Sequence, residues 1–383
     1  MNPSAAFSAI GSASRTDAVL ASFTAAGYAL AHPAILQPAE PFLDLSGEDI
    51  RKSLYLTTDA SGEELCLRPD LTIPVARNYL ASPDAGRPAG FCYLGPVFRY
   101  RGSHPSEFLH AGVESFGRTD RAAADAEVLA LALEAVATFG VRQVDVRTGD
   151  VALFAALLRA LDLAPVWKRR LAKDFNRKVS LAQDLARMTL ASGASRTDYH
   201  GVLAALAGSD RKAALALVTD LMSIAGATNV GGRSVADIAD RFLEQSTLAG
   251  GALPKDAVTT IERFLTLSGE PRSAAAALRA LAKDAQLGDL NEAIDEFERR
   301  VDLMGKRGID IASLRFDTAF GRGVDYYTGF EFELHHGGGG SEPLVGGGRY
   351  DGLLSQLGAN EPIAAVGFSI WVDALARDVE GGA

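Results

Sequence analysis

The sequence predicts an α+β protein in which a run of helices interrupts a mixed core. Three compositional zones carry that prediction. From about Arg15 to Thr148 the chain is strand-rich, punctuated by proline and set with aromatics throughout. From about Gly149 to Gly308 it turns alanine- and leucine-rich and reads as successive helices. From Ile309 to Ala383 glycine, tyrosine and period-2 alternation return. The economical assignment is a discontinuous core, 1–148 and 309–383, holding a helical insertion at 149–308. An independent helical module is the other reading of the middle zone, and no repeat of fixed period is evident.

The first zone opens with a helix expected to end near Gly27, followed by a strand over Tyr28-Ala29-Leu30-Ala31-His32 that runs into Pro33. Two further strands flank a turn built from Gly102, Ser103, His104 and Pro105: Gly90 to Arg101 before it, Glu107 to Gly117 after it. In the middle zone Ser234-Val235-Ala236-Asp237 has the form of a capping box. Pro254 suits a first helical turn, Asp289 can cap the helix running toward Val301, and Gly305 and Gly308 are natural terminators. The glycine runs 337–340 and 346–348 lack a following Lys-Ser/Thr, so they read as a hairpin tip and a close-approach turn rather than a phosphate loop.

Composition bounds the partners. The chain has 383 residues, 48% hydrophobic and 22% charged, which is enough to bury a substantial core. Its 38 basic and 48 acidic residues give a formal charge of −10, and bulk electrostatics therefore oppose a nucleic-acid backbone as main partner. Cys66 and Cys92 lie in apolar runs and read as buried, reduced thiols. No spacing suggests a metal site, and adjacency sends His335 and His336 to opposite faces of a strand. Met1 to Ser14 has no basic head followed by an apolar run, and no stretch reaches the ~18 apolar residues of a membrane span, so a cytoplasmic location is expected.

Period 2 places His110, Gly112 and Glu114 on one face of the second strand, with Leu109, Ala111 and Val113 opposite. A glycine between two polar side chains leaves room for a ligand to approach the backbone, and the carboxylate suits an ammonium or imidazole N–H. A solvated sheet face with a satisfied polar pair is the alternative from this run alone.

The same run, with Phe98-Arg99 entering the loop, resembles motif 2 of the class II aminoacyl-tRNA synthetases; Gly112-Val113-Glu114, Phe116 and Gly117 are similar to the histidyl-tRNA synthetase version. Helix, strand and Pro33 resemble motif 1, which builds a dimer interface in that family. Leu67-Arg68-Pro69-Asp70-Leu71-Thr72 resembles the segment whose acid and threonine hold the substrate's α-amino group. Gly321-Arg322-Gly323-Val324-Asp325-Tyr326-Tyr327-Thr328-Gly329 resembles the histidine-specific signature, and Gly347-Gly348-Arg349-Tyr350-Asp351 its companion. The resemblance covers about Arg15 to Thr148 and Leu314 to the end. It implies an antiparallel sheet flanked by helices.

Free histidine carries a carboxylate, an ammonium and an imidazole. Arg322 offers a planar fork to the first. Asp70, Thr72 and Glu114 can accept from ammonium or ring N–H, and Tyr326, Tyr327 and Tyr350 supply hydroxyl-tipped walls. Arg99 and His110 complete the implied histidine-binding set, His110 standing where the synthetase usually has glutamine.

The segment Ala364 to Leu375 resembles motif 3, with departures. Ala374 stands where that motif has its ATP-binding arginine, Trp371 where it has a second glycine, and Arg101 replaces the motif 2 glutamate. The chain also stops nine residues after Ala374, without the anticodon-binding domain of those synthetases. The combination is similar to the regulatory subunits of ATP phosphoribosyltransferase, synthetase paralogues of histidine biosynthesis. That resemblance implies no catalytic residues, no cofactor, no metal and no tRNA. It implies a core homodimer within a hetero-oligomer with the short catalytic subunit, and feedback inhibition by histidine. A truncated synthetase forming histidyl-adenylate is the alternative.

Overall fold

A computed structural model of the chain describes residues 9–45, 48–102, 104–175, 181, 185, 216, 219, 253–324, 326–338 and 342–381. By compactness the chain divides into two units, one of residues 1–157 and 263–383, the other of 158–262. The second unit contains the helix Pro165–Phe175, which buries Val166, Trp167, Leu171 and Phe175. The Ser234–Asp237 capping box lies outside the described residues.

The first unit is built on a nine-stranded sheet. Its strands are β1 (Ala29–Leu30), β5 (Ala89–Phe98), β6 (Glu107–Phe116), β7 (Val144–Asp150), β8 (Ser268–Gly269), β9 (Leu314–Asp317), β10 (Phe330–His336), β11 (Pro343–Arg349) and β12 (Ala365–Trp371). In space they run β1-β5-β6-β12-β11-β10-β7-β9-β8. All pairings are antiparallel except β1 with β5 and β7 with β9. A small sheet of β2 (Leu36–Pro38), β4 (Glu64–Leu67) and β3 (Leu56–Thr58) accompanies it. The strand expected from Tyr28 to His32 shortens to β1, because Pro33 has no N–H to extend a ladder.

Alternation along the strands separates two chemistries. On one face, Phe368, Val113 and Gly347 are register neighbours, as are Val366, Ser115 and Arg349. There the helices Arg121–Thr138 and Leu290–Lys306 pack, and Arg349 and Arg300 meet Asp125 at 2.6 and 3.1 Å. Arg300 also bonds Asp150, and all four side chains are almost fully buried, so the charges offset one another where water cannot. On the other face Glu114 neighbours Gly367, Gly112 neighbours Ser369 and Tyr93, and His110 neighbours Trp371 and Gly95.

Helices Pro271–Asp284 and Leu290–Lys306 belong to the first unit, whereas composition groups them with the insertion at 149–308. Alanine and leucine content registers helix, not which helix reaches the sheet. Within the second of these, Asp289 sits at the N-cap without a side-chain hydrogen bond, and Gly305 lies inside the helix. Gly308 is the terminator, at φ +84°, a conformation glycine adopts without strain. Pro254 precedes the helix Lys255–Leu265, its carbonyl accepting from Val258 N–H at 3.1 Å.

Glycines 346–348 lie within β11, not in a turn. A Cβ on Gly346 would overlap the Arg322 guanidinium, and one on Gly367 of β12 would overlap the Glu114 carboxylate. The glycines clear space for these two large polar side chains. Gly337 and Gly338 do occupy the turn after β10.

Candidate functional site

All nine residues expected from sequence line one cavity of about 70 Å³: Asp70, Thr72, Arg99, His110, Glu114, Arg322, Tyr326, Tyr327 and Tyr350. They arrive from separate elements. Asp70 and Thr72 open the helix Thr72–Leu80, where the Asp70 carboxylate accepts from Ile73 N–H at 3.2 Å. Arg99 follows β5, while His110 and Glu114 project from β6. Arg322, Tyr326 and Tyr327 come from the loop before β10, and Tyr350 follows β11.

Glu114 is fully buried and collects three hydroxyls. Thr72 donates to Oε1 at 2.7 Å, Tyr93 donates to the same oxygen at 3.1 Å, and Tyr350 donates to Oε2. Burial pushes this carboxyl up to about 8, against the three donors, which favour its charged form. Thr72 thus serves the carboxylate as a donor. The space above Gly112, read from sequence as room for a ligand, is occupied by the Tyr93 hydroxyl and the Phe368 carbonyl. Tyr93 is a site residue that sequence reasoning passed over; its position directly opposite Gly112 in β5 is the signal that finds it.

The opposite end is cationic. The Arg322 side chain donates to Glu333 at 3.2 Å and to the Tyr327 hydroxyl at 2.6 Å, while its backbone N–H donates to Glu331 at 2.9 Å. Burial acts to lower the Arg322 pKa, but Tyr327 and the acids Glu333 and Glu331 outweigh it and raise it. Arg99 Nε donates to the Pro69 carbonyl at 2.7 Å. Burial pushes Arg99 down, with Asp70 opposing. Burial likewise raises Asp70, with Arg99 opposing.

His110 stands between these cations and two aromatic rings. Phe108 meets it edge-on at 5.2 Å and Trp371 at 5.4 Å. It is 1% exposed, and neither ring nitrogen has a hydrogen-bond partner among the described residues. Burial, then Arg99, Arg322 and Arg101, holds its pKa well below the ordinary histidine value, so the ring is neutral at pH 7. A buried imidazole without partners is costly unless something bound satisfies it. The cavity thus offers a hydroxyl-ringed carboxyl at one end and two guanidinium groups with an unsatisfied imidazole at the other. That is complementary to a small zwitterion bearing a polar ring.

Among the described residues no helix is long and apolar enough to cross a membrane. Cys66 and Cys92 are buried free thiols, and burial raises Cys66 to about 11.

The histidyl-tRNA synthetase family model matches residues 11–229 and 215–375, running into the helical segment that the motifs left unmatched. ATP phosphoribosyltransferase regulatory subunits of Brucella anthropi and Brucella canis are 41% and 40% identical over 345 residues, which is 89% of this chain and 90% of theirs. Among solved structures, an ATP phosphoribosyltransferase regulatory subunit/histidyl-tRNA synthetase from Bacillus halodurans aligns with a TM-score of 0.66 at 23% identity. It covers 96% of this chain and 78% of that one, and supports the fold. A histidine–tRNA ligase subunit from Alicyclobacillus acidocaldarius aligns at 0.55 and 26% identity, over 97% of this chain and 94% of that one. Four motifs in order, a class II-type sheet and similarity along nine-tenths of the relatives' length place this chain in the ATP phosphoribosyltransferase regulatory subunit family, built on a histidyl-tRNA synthetase-like fold.

Proposed function

We propose that this chain is a non-catalytic regulatory subunit of ATP phosphoribosyltransferase, acting at the first step of histidine biosynthesis. It activates a short-form catalytic subunit, and histidine held in the cavity inhibits the assembly. The observation that carries this reading is the convergence of the nine residues on one cavity. Arg322 and Arg99 receive the carboxylate, Asp70 the ammonium, and Glu114 with its tyrosines the imidazole. Coupling between this pocket and a partner's active site is a free energy of about 1–3 kcal/mol in typical allosteric systems.

The neighbouring cavity supports the non-catalytic part. Its lining residues are Arg101, Phe108, Glu342, Pro343, Trp371, Asp373 and Ala374. The Arg101 guanidinium lies 4.9 Å over the Phe108 ring, and Ala374 contributes no charge. A polyphosphate there would face two carboxylates and one arginine, the reverse of what phosphoryl chemistry requires. Homodimerisation through the core belongs to the same proposal; edge strand β1, with Leu30 45% exposed, is the surface that favours it.

Calorimetric titration of the isolated chain with histidine, alone and with ATP, tests the site. Co-purification with a short catalytic subunit tests the partner. In the assembly, Arg322→Ala should abolish histidine inhibition while leaving the catalytic chain bound; undiminished inhibition would overturn the pocket assignment. A second reading, a synthetase-like enzyme forming histidyl-adenylate, draws on the half-buried Arg99 at the cavity. Histidine-dependent pyrophosphate exchange into ATP would favour it over the first.

A further inference from the structure

Trp371 lines both the small polar cavity and the larger one beside it, of about 190 Å³. The indole is the wall they share. It is held from several sides. His110 meets it edge-on at an interplanar angle of 78°, and the Arg322 guanidinium carbon lies 5.8 Å from its ring centroid. Its backbone is the last residue of β12, in register with His110, and leads directly into the helix Val372–Gly381. Asp373 of that helix accepts from Leu109 N–H at 3.0 Å, tying the helix start back to β6.

On the inner side of the indole stand Arg99, Arg322 and the unpartnered, buried nitrogens of His110. These groups suit an anionic head that ends there. On the outer side lies open volume bounded by Phe108, Pro343 and Ala374, which a longer ligand could use only if the indole were absent.

We infer that Trp371 sets the length of ligand the cavity accepts: it admits an amino acid whose carboxylate is free and excludes one extended through that carboxylate. This rests on the reading of the cavity as a histidine site and names its specificity wall. The exclusion is steric, since the extension would have to occupy the volume of the indole. It is distinct from the attraction of Arg322, because a probe can keep its negative charge and still be too long.

The test is a calorimetric comparison of L-histidine with L-histidylglycine on the full chain. The dipeptide keeps the imidazole, the ammonium and a carboxylate, but carries the carboxylate one residue further out. Forcing extra atoms into a packed wall typically weakens binding ~10- to ~100-fold, so the wild-type chain should prefer histidine by at least that factor. In Trp371→Gly the preference should fall severalfold or vanish, chiefly through gain of dipeptide binding. Trp371→Leu keeps a strand-compatible side chain, guards against misfolding of the glycine variant, and should fall between the two. Adding Ala374→Phe to Trp371→Gly should refill the outer cavity and restore the preference. Equal binding of both probes to the wild type, or an unchanged ratio in both single variants with histidine still bound, would overturn this inference alone. No histidine binding by the wild type would overturn the proposed function and this inference with it.

Discussion

The two ends of the cavity differ in how completely they are partnered, although both are built on the same face of β6 four residues apart. Glu114 has Gly367 opposite it on one strand, and three hydroxyls converge on its oxygens. His110 has Gly95 and Trp371 opposite it, and its nearest ring neighbours carry no acceptor aimed at its nitrogens. One end is therefore assembled before any ligand arrives, and the other is incomplete without one. Folding can stabilise the first by itself, since every buried polar atom there is satisfied internally. The second leaves a buried imidazole whose N–H a bound anion could partner.

The largest expected effect breaks the incomplete end. Arg322→Ala removes charge-assisted hydrogen bonds worth about 1.5–3 kcal/mol each, and histidine affinity measured by calorimetry should fall by ~100-fold or more. A change below about threefold would mean that the anion is not held there. Next comes a test of the preassembled end. Gly367→Ala places a Cβ against the Glu114 carboxylate and the Val113 carbonyl, and overpacking of this kind costs about 1–3 kcal/mol. The variant should melt several degrees lower; an unchanged Tm would show that Glu114 has room to move.

The third prediction uses pH. Burial raises Glu114 from an ordinary 4.5 to about 8, so the folded state keeps its proton over a range in which the unfolded chain has lost it. The stability this group contributes is fully present below pH 4.5 and is lost as pH rises toward 8. Glu114→Gln should therefore flatten part of the decline in Tm between these values. Glu331, also raised to about 8 by burial, accounts for a second part, which persists in the single variant. A Tm profile identical to wild type would show that Glu114 does not titrate in that window.

The smallest effect separates the two ends most sharply. His110→Phe replaces an unpartnered imidazole with an apolar ring of similar shape. Empty-state stability should stay level or rise by about 1 kcal/mol, because an unsatisfied buried polar group disappears. Histidine affinity should fall in the same variant. Loss of both together would show instead that the imidazole is a structural member of the fold.

Much of the site was legible in the sequence because its chemistry lies in short motifs. Asp70 and Thr72 share one turn, His110 and Glu114 share one strand, and Arg322, Tyr326 and Tyr327 share one loop. Tyr93 was not legible in that way. Nothing in Gly90-Phe91-Cys92-Tyr93 distinguishes a core tyrosine from one that donates to a carboxylate, until β5 and β6 pair and set it opposite Gly112. The glycines of β11 show the same limit. Glycine repeats announce turns when read along the chain, yet these are set by Arg322, Phe368 and the Phe330 carbonyl approaching from other segments. Likewise the helix Leu290–Lys306 reads as one more alanine-zone helix until Arg300 is seen beside Asp125 and Asp150.

Local pattern alone determined the mixed α+β class, with strands expected toward both ends of the chain, and it marked the short motifs whose polar side chains line the cavity. Those properties reside in periodicity and in side-chain chemistry, both of which operate over a few neighbouring residues. Only the tertiary structure decided which carboxyl is satisfied, which imidazole is left unpaired, and that one indole stands between two cavities. Each of these depends on atoms brought together from segments as far apart as His110 and Trp371, a proximity that strand register creates and no local window contains.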